Sequence, residues 1–140
     1  MYLLDVNVLI ALAWDDHEHH RRAHAWFARL AGASFATCNI TQSEFVRISL
    51  NPRIVGSQIG ISDVFEILES FTKHPNHAFC EDGPLQTDPA WQTVTSYKQV
   101  TDTNLRLIAR RHGRKFVTLD EGIQNRLRDD EKSWVDVIPE

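Results

Sequence analysis

Tyr2-Leu3-Leu4-Asp5-Val6-Asn7-Val8-Leu9-Ile10 is the stretch on which the reading of this chain turns. Tyr2–Leu4 is a short apolar run, suited to a buried strand. The segment from Asn7 to Trp14 is apolar too, and reads as a helix. Asp5 lies at the junction, a single carboxylate at the carboxyl end of the strand. An aspartate there has an ordinary role: it can cap the helix it opens. It can also face a ligand, because parallel sheets bind ligands at the carboxyl ends of their strands.

The same alternation continues outward. Ser34–Cys38, His77–Cys80, Phe116–Leu119 and Trp134–Ile138 are short apolar runs and are predicted strands. Asp16–Leu30, Thr41–Leu50, Ser62–Phe71, Thr101–His112 and Glu121–Arg128 are predicted helices, and Asp88-Pro89 opens another that carries Trp91 and Val94. Ile54–Ile61, with two glycines, reads as a loop. Strands alternating with helices predict an α/β fold, a mostly parallel sheet covered on both faces.

Composition narrows the function. At 140 residues, the chain is predicted to form one domain spanning 1–140. It is 42% hydrophobic and 24% charged, which suits a folded globular protein and not a disordered one. Fifteen basic residues against nineteen acidic give a net charge of −4, which excludes binding to nucleic acid through bulk positive charge. Two cysteines, Cys38 and Cys80, are too few for a disulfide scaffold. The apolar opening is interrupted at Asp5 and Asn7 and no basic residue precedes it, so neither a signal peptide nor a membrane span is expected, and the expected location is cytoplasmic.

Three more carboxylates occupy positions like that of Asp5. Asp120 follows the predicted strand Phe116–Leu119, with Thr118 two residues earlier on the same side. Asp102 opens the helix Thr101–His112, where its ordinary role is to complement the helix dipole. Glu44 lies in Thr41-x-x-Glu44, the spacing of a capping box. Each has a structural explanation alone. Together, Asp5, Glu44, Asp102 and Asp120 fall at one edge of the predicted sheet, where four carboxylates repel unless a divalent cation joins them or their pKa values shift. Oxygen ligands favour Mg²⁺ or Mn²⁺ over zinc. The matching chemistry is phosphodiester hydrolysis, with one or two metals.

The phosphate side has its own candidates. Lys98, Arg106, Arg110, Arg111, Arg114 and Lys115 crowd an 18-residue span with one acid, Asp102. Such a patch can hold a polyanion, or be a solvated helix face. Arg47, a turn beyond Glu44, is a further candidate for a phosphate contact. His17, His19, His20 and His24 form a competing cluster. His20 and His24 are spaced for two zinc ligands on one face, but Arg21 breaks the His-Glu-x-x-His pattern. A packed helix face is the simpler reading.

Four short motifs, in order, resemble those of the PIN-domain ribonucleases, and best the VapC-type toxin branch. They are Leu3-Leu4-Asp5-Val6-Asn7-Val8-Leu9-Ile10, Thr41–Pro52 with Glu44 to Arg47, Val100-Thr101-Asp102 with its helix to Gly113, and Val117-Thr118-Leu119-Asp120. The segment from His19 to Phe27 is similar as well. The resemblance implies a three-layer α/β/α sandwich with a five-stranded parallel sheet, and Mg²⁺- or Mn²⁺-dependent endoribonuclease activity. It implies Asp5 and Asp102 as principal metal ligands, Asp120 completing the site, and Glu44 tuning it or orienting water. Asn7 and Thr118 match supporting positions. Homodimerisation is implied, as is a small cognate antitoxin that puts a basic residue into the acidic site. Phe79-Cys80-Glu81-Asp82 departs from the family's more aromatic, proline-containing sequence, and no role for Arg110, Arg111 and Arg114 follows from the resemblance.

Two other classes accommodate the same residues. A phosphate-accepting receiver domain also places acids at strand ends, but Asp120-Glu121-Gly122 stands where it needs a lysine. A catalytically silent PIN-like scaffold would bind RNA or protein without cutting.

Overall fold

The computed structural model describes residues Met1–Glu140, and its organisation follows from where each apolar run is long enough to be buried. Tyr2–Leu4 forms β1, and its apolar continuation winds into α1, Val6–Ala13. There follow α2 (His20–Ala28), β2 (Phe35–Cys38), α3 (Asn39–Ser49), α4 (Pro52–Val55), α5 (Ile61–Thr72), β3 (His77–Cys80), α6 (Val100–Arg111), β4 (Lys115–Thr118) and β5 (Val135–Val137). All strand pairings are parallel and the order is β3-β2-β1-β4-β5. The strand order reverses at β1: the chain builds outward to β2 and β3, then returns to place β4 on the other side. A crevice for ligands is expected outside the carboxyl ends of β1 and β4.

Alternation along the strands divides the core in two. Leu4, Phe35 and Val117 face one side, where Val8, Leu9, Phe45, Val64 and Leu68 from α1, α3 and α5 cover them. Leu3, Ala36 and Phe116 face the other, under Leu105, Ile108 and Ala109 of α6. The result is the α/β/α sandwich with five parallel strands. No helix is long and apolar enough to cross a membrane.

Three expectations are corrected. Pro52–Val55 is a short helix that overlaps the start of the expected loop Ile54–Ile61, capped by the Asn51 side chain on the Arg53 amide. The expected helix after Asp88-Pro89 closes as a 3-10 turn, Pro89–Thr93; the β-branched run Thr93-Val94-Thr95 does not extend it. The expected helix Glu121–Arg128 is likewise a 3-10 turn, Glu121–Arg126.

The histidine cluster is explained by α1. His20 Nδ1 lies 2.7 Å from the Ala11 carbonyl oxygen and His24 Nε2 3.0 Å from that of Leu12. These two carbonyls belong to the last turn of α1, so the rings satisfy acceptors the helix leaves open.

The departure at Phe79–Asp82 also has a structural role. Asp82 accepts hydrogen bonds from the Asn39 amide at 3.0 Å and the Ile40 amide at 3.2 Å, and so caps α3 from the end of a neighbouring strand. Arg111 donates to the Asp82 carbonyl and fixes the segment from the other layer. Asp82→Ala is expected to cost about 1 kcal/mol in urea unfolding, and Asp82→Asn markedly less.

Candidate active site

The parallel register generates the site. Leu3 pairs with Phe116 and Leu4 with Val117, so one step further Asp5 stands beside Thr118. The Asp5 amide donates to the Val117 carbonyl at 2.9 Å, extending the ladder to the edge. The Asp5 side chain makes no capping bond to α1. Its Oδ2 accepts instead from the Thr118 hydroxyl at 2.7 Å.

Thr118 is the hub of this edge. Its oxygen accepts from Asn7 Nδ2 at 3.1 Å and from the Asp120 amide at 3.1 Å. A hydroxyl has one proton and two lone pairs. Two N–H donors take both lone pairs, so the proton points at Asp5. Asn7 Oδ1 in turn accepts from the Leu119 amide at 3.1 Å. Both side chains that the family resemblance marks as supporting thus lock the ends of β1 and β4 together. They fix one oxygen of Asp5 and leave Oδ1 outside the Thr118 network.

Asp5 is buried, and its pKa is raised from 3.8 to about 6. Burial is the main cause; the Thr118 hydroxyl and the Val6 amide oppose it, and the carboxylates of Asp102 and Asp120 push it further up. Three of the four predicted acids are therefore within electrostatic reach of one another. Asp102 comes from the first turn of α6. Asp120 uses Oδ1 to accept from the Gly122 amide at 2.9 Å, so its capping role is real, while Oδ2 is turned to Arg126.

Glu44 makes no hydrogen bond or ion pair with this group. It is bound to Arg47, with Nη2 2.6 Å from Oε2. The capping box expected at Thr41-x-x-Glu44 does not form. The helix starts two residues earlier, and Thr41 itself occupies the third position, its hydroxyl accepting from the Cys38 amide at 3.0 Å. Arg47, the phosphate candidate, is the other half of the Glu44 pair.

The basic patch is dispersed. Arg106 is buried against Glu131 at 3.1 Å, Arg110 is paired with Asp88 at 2.6 Å, and Lys115 with Asp136 at 3.4 Å. Arg111 holds backbone carbonyls of Glu81 and Asp82, and Arg114 reaches the Ser34 hydroxyl at 3.0 Å. Arg110 and Arg111 occupy the last turn of α6, roughly 12 Å along the axis from Asp102. Each of these arginines has a partner within the protein, and none is paired with the acids of the site.

The basic residue that does touch the acids was not singled out by sequence. Arg126 Nη2 lies 2.5 Å from Asp102 Oδ2 and 3.5 Å from Asp120 Oδ2. In an α-helix a residue six positions after Asp120 falls on another face. A 3-10 turn has three residues per turn, and positions 120, 123 and 126 align.

The carboxylate donors suit a hard divalent cation. As the side chains stand, no three His, Cys, Asp or Glu residues anywhere in the chain are close enough to hold a metal ion. At this site the Arg126 guanidinium lies between two of the donors. The fit is one of chemistry and topology.

The PIN domain family model matches residues 2–128 of this chain. The chain belongs to the PIN-domain family. Among curated relatives this PIN domain is 43% identical over 123 residues to "Ribonuclease VapC38" of Mycobacterium tuberculosis, covering 88% of this chain and 87% of that protein. It is 39% identical over 124 residues to "Ribonuclease VapC44" of the same organism, covering 86% and 87%. It is 37% identical over 126 residues to "Ribonuclease VapC39", covering 86% and 89%. These similarities place it with the VapC-type PIN domains.

Proposed function

We propose that this PIN domain is a divalent-metal-dependent endoribonuclease, the toxin of a toxin–antitoxin pair. The observation that carries the reading is Asp5, buried and oriented by Thr118 at the reversal point of the sheet, facing Asp102 and Asp120. The relatives called ribonucleases support RNA as the substrate. Asp5, Asp102 and Asp120 are the residues that would hold Mg²⁺ or Mn²⁺. When bound, such an ion offsets charge on the phosphate and makes water more acidic. Asn7 and Thr118 keep Asp5 aligned through its Oδ2. We assign Glu44 the outer role of orienting water and Arg47 a phosphate contact, each released from the other when substrate enters. The same reading gives a homodimer in the cytoplasm, neutralised by a small antitoxin protein.

A second reading is favoured by one observation. With Arg126 across Asp102 and Asp120, the charge of the acids is already partly offset without metal, as a silent scaffold requires. Cleavage separates the two. Purified protein incubated with total RNA and Mn²⁺ is expected to give discrete products, and none in EDTA. Intact RNA in Mn²⁺, with the protein folded and free of antitoxin, supports the scaffold.

A further inference from the structure

Both side-chain hydrogen bonds of Arg126 go to Asp102 and Asp120. The two carboxylates come from different elements, one from α6 and one from the residue that caps the 3-10 turn Glu121–Arg126. Each presents Oδ2 to the same nitrogen, Nη2. The turn that carries Arg126 is anchored by Ile123, buried in the core beneath α6. The backbone thus places Arg126 within reach of both acids. The Asp102 and Arg126 side chains are 17% and 26% exposed, so the pair is sheltered without being sealed.

A guanidinium and a divalent cation repel one another and compete for the same two oxygens. We propose that Arg126 is the resident counter-ion of the site: it holds Asp102 and Asp120 facing one another in the metal-free protein and competes with the entering cation. This rests on the reading that a divalent cation binds there. It gives the site a cation in both states and lowers the repulsion between the acids that converge on one edge of the metal-free fold. By linkage, any cation that displaces Arg126 binds more weakly than the bare carboxylates allow.

Mn²⁺ binding by chelator-stripped protein, followed by calorimetry without RNA, tests the proposal. Arg126→Gln is expected to bind Mn²⁺ roughly 5- to 10-fold more tightly than wild type. Arg126→Lys, which keeps the charge but loses the planar fork, is expected to fall between them. Urea midpoints provide a second readout: Arg126→Gln is expected to lose stability without metal and to gain more from Mn²⁺ than wild type does. If the glutamine variant does not fold, the lysine variant decides by the same comparison. Equal or weaker Mn²⁺ binding by the variants overturns the counter-ion role and leaves the nuclease reading standing if wild type still cuts RNA. Absence of Mn²⁺ binding by wild type and variant alike overturns the counter-ion role together with the metal site.

Discussion

Asp5→Asn is expected to leave RNA uncut under conditions in which wild type degrades it, a loss of roughly 10²–10³-fold in rate. Asparagine preserves the shape and still accepts from the Thr118 hydroxyl. It removes the negative charge that a cation needs. The same variant is expected to be more stable than wild type in the absence of metal. The Asp5 pKa is raised from 3.8 to about 6 in the folded protein, so folding favours the protonated carboxyl. Stability from this group is fully present below pH 3.8 and is lost as pH rises through about 6. At pH 7.5 the ionised, buried Asp5 therefore weakens the metal-free fold, by an amount of order 3 kcal/mol for a two-unit shift. Because asparagine gives a weaker hydrogen bond to Thr118, the net gain is expected to be about 1–2 kcal/mol. Urea unfolding in EDTA checks this, and the gain should fall by about 1.4 kcal/mol, to near zero, at pH 5. A residue that served only as a helix cap would give neither result, because asparagine caps as well as aspartate does.

Glu131→Ala is expected to cost about 3–5 kcal/mol, a large part of the stability of a domain this size. Glu131 and Arg106 face each other with side chains 4% and 8% exposed. Glu131 Oε1 takes Arg106, and Oε2 accepts from the Arg128 amide at 2.9 Å. Truncating the glutamate leaves a guanidinium buried with only Thr103 as a side-chain partner, at 3.3 Å. Replacing both partners with apolar residues, Arg106→Met with Glu131→Leu, is expected to recover most of the loss, since the cost comes from the stranded charge. Thermal unfolding of the two single variants and the double variant measures the coupling.

Residues fixed by local chain geometry were legible in the sequence. Asp5, Asp102 and Asp120 lie at strand ends or first helical turns, and a parallel sheet collects such positions on one edge. Thr118 could be paired with Asp120 by strand alternation, but its bond to Asp5 depends on register. What escaped depends on partners distant in sequence. The partners of the basic patch were not legible, because Asp88, Glu131 and Asp136, which pair with Arg110, Arg106 and Lys115, lie 21 to 25 residues away. The start of α3 was misplaced because one of its caps, Asp82, lies 42 residues beyond Ile40. Arg126 escaped for a different reason, the choice between α and 3-10 winding after Asp120. No residue type announces that choice.

The central strand of the sheet precedes both of its neighbours along the chain. β1 acquires one neighbour from β2, but its other neighbour, β4, and the Thr118 hydroxyl that aims Asp5 lie 113 residues later. Such a distant contact forms late and slowly. During synthesis the emerging polypeptide therefore carries Asp5 with no partner. The acidic edge is assembled only after Asp120 has been translated, and until then the RNA around the ribosome meets an incomplete site.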